Sequence, residues 1–372
     1  MSDLTLILLS AGSSSRFDMP VKKQWLRIDT EPLWQFVTSR FTKSYNFYQI
    51  IITASDDEIE YMKLFTDYTL VVGGRTRQAS LQNALKSVKT PYVLVSDIAR
   101  CCVNDDLIKR LINSKESADS IVPFIDISDT VTQDGITIER ESLKRIQTPQ
   151  LSKTEVLNSA LMSNVQYTDE SSAIVANGGS REFIQGDSEA HKLTYKHDLE
   201  HIKCLNAPEN VNLCGTGFDV HEFETGKQML LGGVHIEADY GFKAHSDGDV
   251  AIHSIIDALL GASAMGDIGT FFPDSDEQYK NIDSTILLNK TVKLIKERGF
   301  EIINTDITIL AQAPRLEQYK DKIRSSLASL LGIAKHRMNV KATTTEKLGF
   351  IGRKEGVGVQ SIVTLKYFDW TK

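Results

Sequence analysis

The chain has 372 residues, long for one hydrophobic core and suited to two domains. Hydrophobic residues make up 41% and charged residues 24%, ordinary for a soluble globular protein. The formal net charge of -7 excludes an overall basic field that recruits nucleic acid, so anionic substrates must be met by local clusters of Lys and Arg. Apolar runs such as residues 6–9 are strand-sized and too short to span a membrane. Met1-Ser2-Asp3 lacks the positive region of a signal peptide. The cysteines Cys101, Cys102, Cys204 and Cys214 form no C-x-x-C pair, and the adjacent two are poorly placed to bridge each other. The expectation is a reduced, cytoplasmic protein.

Residues 4–9 form a continuous apolar run, which predicts a strand buried on both faces. Ser10-Ala11-Gly12-Ser13-Ser14-Ser15-Arg16 follows, and its small residues let backbone N–H groups approach a phosphate. Lys22 and Lys23 come shortly after. The loop matches neither G-x-G-x-x-G nor G-K-[ST], so by itself it also fits a plain surface turn. Residues 49–53, 69–72, 92–96 and 120–125 read as further strands. Gly73-Gly74 breaks the chain before a helix holding Ser80, Leu81, Ala84 and Leu85. Asp97 stands at the carboxyl end of a strand, with Arg100 three residues on; ligands of open parallel sheets bind at that edge. The alternation predicts a doubly wound, Rossmann-like α/β domain. Residues 133–150 are less regular and predict a protruding arm that carries Arg140 and ends in Thr148-Pro149-Gln150. A strand near residues 181–185 precedes Lys192. The polar stretch Asn206-Ala207-Pro208-Glu209-Asn210 is the best linker, dividing the chain into 1–208 and 209–372.

The second part reads as a smaller α/β (α+β) unit. Gly215-Thr216-Gly217 leads into Asp219-Val220-His221. Residues two apart in a strand share a face, so Asp219 and His221 can present an oxygen and a nitrogen to one point. His253, on a helix predicted over residues 250–262, offers a third ligand. Two imidazoles and a carboxylate with an open position make a catalytic zinc arrangement. For the Asp-x-His pair alone an exposed Asp and a core His are the simpler reading; the surrounding residues reverse it. Asp257 lies one turn on from His253 and is expected to hold its imidazole. Short strands are expected on either side of Gly232-Gly233. Residues 266–276 form an acidic, turn-rich loop. Helices over 283–298 and 318–331 and strands over 306–310 and 358–367 complete the unit, with residues 341–346 running from strand into a hydroxyl-rich turn.

The runs Gly217-Phe218-Asp219-Val220-His221, Ala244-His245-Ser246-Asp247-Gly248-Asp249-Val250, Gly266 to Gly269, Ala311-Gln312-Ala313-Pro314 and Lys341-Ala342-Thr343-Thr344-Thr345-Glu346-Lys347-Leu348-Gly349-Phe350 closely resemble 2-C-methyl-D-erythritol 2,4-cyclodiphosphate synthase. The first part resembles 2-C-methyl-D-erythritol 4-phosphate cytidylyltransferase. That likeness rests on Ala11-Gly12 with Arg16, Lys23-Gln24, Gly73-Gly74, Asp97 with Arg100, Asp129-Thr130, Thr148-Pro149-Gln150, Thr168-Asp169-Glu170 and Lys192. Together the chain resembles a fusion of two non-consecutive steps of the non-mevalonate isoprenoid pathway. Departures are Ser10 and Ser13 in the phosphate loop, Ser96 and Ile98 around Asp97, and Gln360 where a glutamate is usual.

The resemblance implies CTP, methylerythritol phosphate and the phosphorylated CDP-methylerythritol as substrates, with Zn2+ and Mg2+ as cofactors. Arg16, Lys23 and Lys192 would meet the CTP phosphates, among Ala11, Gly12, Gly74, Ser80 and Asp97. Arg140, from a partner subunit, and Thr148 would hold methylerythritol phosphate, with Thr130 and Arg100 nearby. Asp219, His221 and His253 would bind zinc and Glu346 magnesium. His245 and Thr344 would donate hydrogen bonds to developing charge. The rest of the second pocket would comprise Ser246, Asp267, Ile268, Gly269, Phe272, Asp274, Asp276, Ala311, Ala313, Thr343, Thr345, Phe350 and Arg353. The resemblance also implies a trimeric synthase half and a dimeric transferase half, closing into a hexamer, with neither nucleic acid nor membrane as partner. Two readings compete: a generic nucleotidyltransferase fused to a metal-dependent phosphohydrolase, and a first half that is a non-catalytic assembly module.

Overall fold

All six residues of the strand Leu4–Leu9 are buried, and the strand is paired in parallel on both sides, Leu6 with Ile50 and with Leu94. This follows from its unbroken apolar run, which leaves no face for water. The structure is a computed structural model that describes residues 2–163, 165–244, 246–273 and 275–372. The chain forms two compact units, Met1–Ala207 and Pro208–Lys372. No helix among the described residues is long and apolar enough to cross a membrane.

In the first unit the main sheet runs in the order Lys144–Ile146, Ser120–Asp126, Gln150–Lys153, Tyr92–Asp97, Leu4–Leu9, Gln49–Ala54, Thr69–Val72, with Arg181–Gln185 parallel to Ser120–Asp126. The chain goes from Leu4–Leu9 outward to one side and then returns to its other side at Tyr92–Asp97. That reversal opens a crevice at the carboxyl ends of the strands. Ile7, Leu9, Ile51, Val93 and Val95 pack with Leu81 and Leu85 of the helix Arg77–Leu85. Each such buried side chain stabilises by about 1.5–3 kcal/mol relative to exposure. The expected arm is only partly an arm. Val131–Gln133 and Ile136–Ile138 form a separate hairpin around Asp134 and Gly135, both at positive φ. Asp-Gly suits such a two-residue turn. Lys144–Ile146 and Gln150–Lys153 instead join the main sheet antiparallel.

Cys102 and Cys204 are joined as a disulfide, which corrects the expectation of reduced thiols throughout. They lie 102 residues apart, a pairing made by the fold and invisible to local spacing. Cys101 stays free and buried, and burial pushes its thiol up to about 12.

In the second unit the sheet order is Tyr240–Phe242, Leu213–Thr225, Gly356–Tyr367, Phe300–Leu310, Met338–Thr343. The helix Val250–Ala262 lies directly on Leu213–Thr225. A Cβ on Gly215 would stand 2.1 Å from Ala258 O, and one on Gly217 1.9 Å from Ser254 O. Glycine at both positions thus lets backbone meet backbone. Asp219 and His221 continue the same face of the strand, which brings them beside His253 on the helix. Asp249 caps this helix by accepting from Ile252 N and also holds Gly232 N and Gly233 N. The opposite face of the sheet is open within the unit: Phe218 is 60% exposed and Ile362 43%.

Candidate active sites

The loop after Leu4–Leu9 is tied down by side chains rather than by regular structure. Ser14, at positive φ, accepts from Lys23 N at 3.0 Å and donates to Gln24 Oε1 at 3.2 Å, while Gln24 Nε2 donates to Gly12 O. This brings Lys23 to the crevice. A cavity of about 410 Å³ opens there, lined in part by Ala11, Gly12, Arg16, Lys23, Gly74, Ser80, Asp97 and Lys192. All eight were expected at the nucleotide. The Ser80 hydroxyl is spoken for: it accepts from Gly74 N and donates to Thr76 O. It therefore shapes the Gly73-Gly74 turn.

Asp97 accepts from Arg77 Nε at 2.9 Å and from Lys192 Nζ at 2.6 Å. Burial alone would raise its carboxyl, but Arg77 and Lys192 hold it well below the usual carboxylate range. Arg77 also pairs with buried Glu170 at 2.7 Å. The sequence reading did not single out Arg77; its place at the start of the helix after Gly73-Gly74 was the available signal. Lys23 donates to Leu193 O at 3.1 Å, and burial, with Lys192 and Arg16 nearby, lowers its ammonium below the usual lysine range. Arg16, Lys23 and Lys192 gather more positive charge than Asp97, paired with Lys192 and Arg77, offsets, which suits a phosphate.

Arg100 donates to Thr148 Oγ1 at 3.0 Å and to Ala190 O at 2.6 Å, beside a smaller hollow lined also by Lys192. Thr130 and Arg140 are exposed, and Arg140 turns back on Ser128 O and Glu141. The structure does not bring them to the first cavity within this chain.

In the second unit Asp219 Oδ2 lies 3.2 Å from both His221 Nε2 and His253 Nδ1. Burial would raise this carboxyl, but the two imidazoles beside it hold it far below its usual range. Each ring has its other nitrogen engaged. His221 Nδ1 faces Gly248 O at 3.0 Å, and His253 Nε2 faces Ser284 Oγ at 2.9 Å and Ser246 Oγ at 3.2 Å. One ligand atom from each of Asp219, His221 and His253 lies within 4.8 Å of the others. This donor set fits a divalent cation: the lone pairs converge and oxygens hold the far ring nitrogens. The triad opens onto a cavity of about 490 Å³ with Ser246, Ile268, Gly269, Phe272 and Leu287 in its wall.

Asp257 corrects an expectation. It lines the cavity but accepts from Ile268 N at 2.8 Å, holding the loop and not the His253 ring. Asp267 caps the short helix Ile268–Phe271, and Asp276 accepts from Gln278 N. His245 and Asp274 lie outside the described residues. Ala311, Ala313, Thr343, Thr344, Thr345, Glu346, Phe350 and Arg353 are not in the wall described for this cavity. Ala311 and Ala313 follow Phe300–Leu310, and Thr343 to Glu346 close Met338–Thr343, two and three places along the sheet from Leu213–Thr225; Phe350 and Arg353 precede the neighbouring strand Gly356–Tyr367. Thr344 Oγ1 donates to Glu346 Oε1 at 3.0 Å, and Arg353 pairs with Glu355.

Residues 4–205 match the family model for 2-C-methyl-D-erythritol 4-phosphate cytidylyltransferase, and residues 213–366 match the YgbB family. The "Bifunctional enzyme IspD/IspF" of Sulfurimonas denitrificans is 57% identical, covering 99% of this chain and 96% of that protein. Its counterpart in Aliarcobacter butzleri is 54% identical over the full length of both. The solved structure of the bifunctional IspDF from Campylobacter jejuni superposes with a TM-score of 0.93, at 47% identity and full coverage of both chains. The chain belongs to the bifunctional IspD/IspF family. It is thus two enzymes in one polypeptide, an N-terminal cytidylyltransferase and a C-terminal cyclodiphosphate synthase. Full-length IspD/IspF relatives do not favour a generic nucleotidyltransferase joined to a phosphohydrolase. The two cavities described above fall one in each matched region.

Proposed function

We propose that domain 1–208 transfers the cytidylyl group of CTP to the phosphate of 2-C-methyl-D-erythritol 4-phosphate, releasing pyrophosphate. Domain 209–372 separately closes 4-CDP-2-C-methyl-D-erythritol 2-phosphate into the 2,4-cyclodiphosphate, releasing CMP. The convergence of Asp219, His221 and His253 at a cavity of their own carries the second half of this reading.

In both steps the nucleophile is a phosphate oxygen. A phosphate monoester has its second pKa at about 6, so it is already anionic and needs no general base. The protein must align two anions and neutralise the crowded phosphoryl group between them. Arg16, Lys23 and Lys192 supply that charge in the first cavity. Asp97 fixes Lys192 in place through their 2.6 Å contact. Arg100 and Thr148, already hydrogen-bonded, hold the acceptor phosphate, with Thr130 and a partner subunit's arm residue at position 140 completing it. In the second cavity Ser246, Ile268, Gly269 and Phe272 seat the substrate, and His245 and Thr344 donate to developing charge. When bound, zinc on Asp219, His221 and His253 and magnesium on Glu346 and the CTP phosphates would supply Lewis-acid polarisation and charge neutralisation. The natural setting of this chemistry is the cytoplasm, where CTP is made. Incubation with CTP and methylerythritol phosphate should release pyrophosphate, and incubation with the phosphorylated CDP substrate should release CMP. Equal turnover with other nucleotides or acceptors would overturn the substrate assignment.

The second site is composite in this reading. Residues 311–314, 343–346, 350 and 353 come to the triad of a neighbouring subunit in a trimer, whose contact face includes exposed Phe218 and Ile362. A dimeric transferase half then gives a hexamer. Coexpressing the single variants Asp219→Ala and Glu346→Ala should restore CMP release to about a quarter of native, because random mixing leaves that share of composite sites intact. No recovery, or a monomer by light scattering that still cyclises substrate, would refute it.

A further inference from the structure

We propose that Ser284, backed by Asp247, is a positioning pair for His253: it fixes the imidazole as the Nε2–H tautomer and leaves Nδ1 bare toward Asp219. The inference rests on reading Asp219, His221 and His253 as a metal site.

Ser284 is fully buried at the start of the helix Ser284–Glu297, with Leu287 of that helix in the cavity wall. Its backbone N donates to Asp247 Oδ2 at 3.0 Å, and its hydroxyl donates to Asp247 Oδ1. A carboxylate only accepts, and a serine hydroxyl has one hydrogen. With that hydrogen committed to Asp247, the Ser284 oxygen turns lone pairs toward His253 Nε2 at 2.9 Å. A ring nitrogen that faces a lone pair must carry the hydrogen itself. The lone pair of the ring then falls on Nδ1, which points at Asp219 Oδ2.

Ser246 cannot impose this alone. It sits farther from Nε2, at 3.2 Å, and already accepts from Gly248 N, and among the described residues no carboxylate fixes its hydrogen. The contrast with His221 is instructive. There a backbone carbonyl, Gly248 O, accepts from Nδ1 and bares Nε2. A carbonyl cannot donate, so one atom suffices. A hydroxyl can do either, so Ser284 needs Asp247 to decide its direction. Asp247 Oδ1 also accepts from Asp249 N, which joins the loop before Val250–Ala262 to the helix Ser284–Glu297.

The test uses the full-length protein and Zn2+ titrated against a chromophoric chelator. Ser284→Ala and Asp247→Asn should each weaken zinc binding by roughly 10- to 100-fold, the usual cost of losing a partner behind a ligand. Ser284→Thr, which keeps the hydroxyl, should recover most of it. In protein carrying 15N-histidine, His253 should be the Nε2–H tautomer in the wild type and a mixture in Ser284→Ala. Circular dichroism and the melting profile report that each variant is folded, since pyrophosphate release tests only the first unit. Native zinc affinity together with an unchanged His253 tautomer in both Ser284→Ala and Asp247→Asn would overturn the proposal. Zinc binding that is indifferent to Asp219→Ala would overturn the metal site itself, and the positioning role with it.

Discussion

Asp219→Ala is expected to abolish CMP release while pyrophosphate release stays within about twofold of native. Asp219 Oδ2 stands 3.2 Å from both His221 Nε2 and His253 Nδ1, so the substitution removes the anion that the two imidazoles share. Losing a partner behind a metal ligand costs roughly 10- to 100-fold, so losing a charged ligand should cost at least about a thousandfold. The transferase cavity is built wholly from residues of Met1–Ala207, and its walls owe nothing to Asp219. Substitutions at distant, independent sites act additively within about 0.3–0.5 kcal/mol, which sets the twofold allowance. Pyrophosphate release controls for loss of the first unit, and a melting profile of the whole chain controls for unfolding of the second. Measuring both products on one preparation decides the matter: parallel loss of the two would show that the sites are not separate. Zinc content should fall with CMP release in that variant.

What the sequence disclosed depended on how far each signal reached along the chain. The strand Leu4–Leu9 and the helix Val250–Ala262 announce themselves because apolar runs and helical spacing are local. Asp219 and His221 were legible for the same reason, being two apart on one strand. The strand Phe300–Leu310 was foreseen only from residue 306, since a register shift between Ile302 and Asn304 interrupts its alternation. The partner of the far ring nitrogen of His253 was not legible. A turn's spacing suggested Asp257, but that carboxylate faces Ile268 N, and the ring is met by Ser284 from another helix. Likewise Arg77 joins three separate elements, and its place after Gly73-Gly74 does not reveal Asp97 and Glu170 as its partners. The Cys102–Cys204 pair fails for the same physical reason: only the folded chain brings those residues together.

Lys23→Ala should lower cytidylyl transfer by about 100- to 1,000-fold and leave CMP release near native. One preorganised donor at a phosphoryl or acyl transition state contributes roughly 2.7–4 kcal/mol. Lys23 is held for that task, its Nζ at 3.1 Å from Leu193 O on one wall of the cavity. Burial comes first among the causes that depress its ammonium, and repulsion from Lys192 and Arg16 adds to it. The sign then follows. With the folded pKa below the unfolded one, keeping Lys23 charged costs stability at neutral pH, and that cost fades as pH rises through the folded value. Removing the charge should therefore not lower the melting temperature of the ligand-free protein at pH 7. Lys23→Met, which keeps most of the apolar stem, separates lost packing from lost charge. It should transfer as poorly as Lys23→Ala and melt at or above the native temperature. CTP ought to stabilise the native protein more than either variant, since a triphosphate relieves the repulsion among the three cations. Near-native turnover in Lys23→Met would mean that Lys23 is only a wall of the cavity, and that Arg16 and Lys192 carry the phosphates alone.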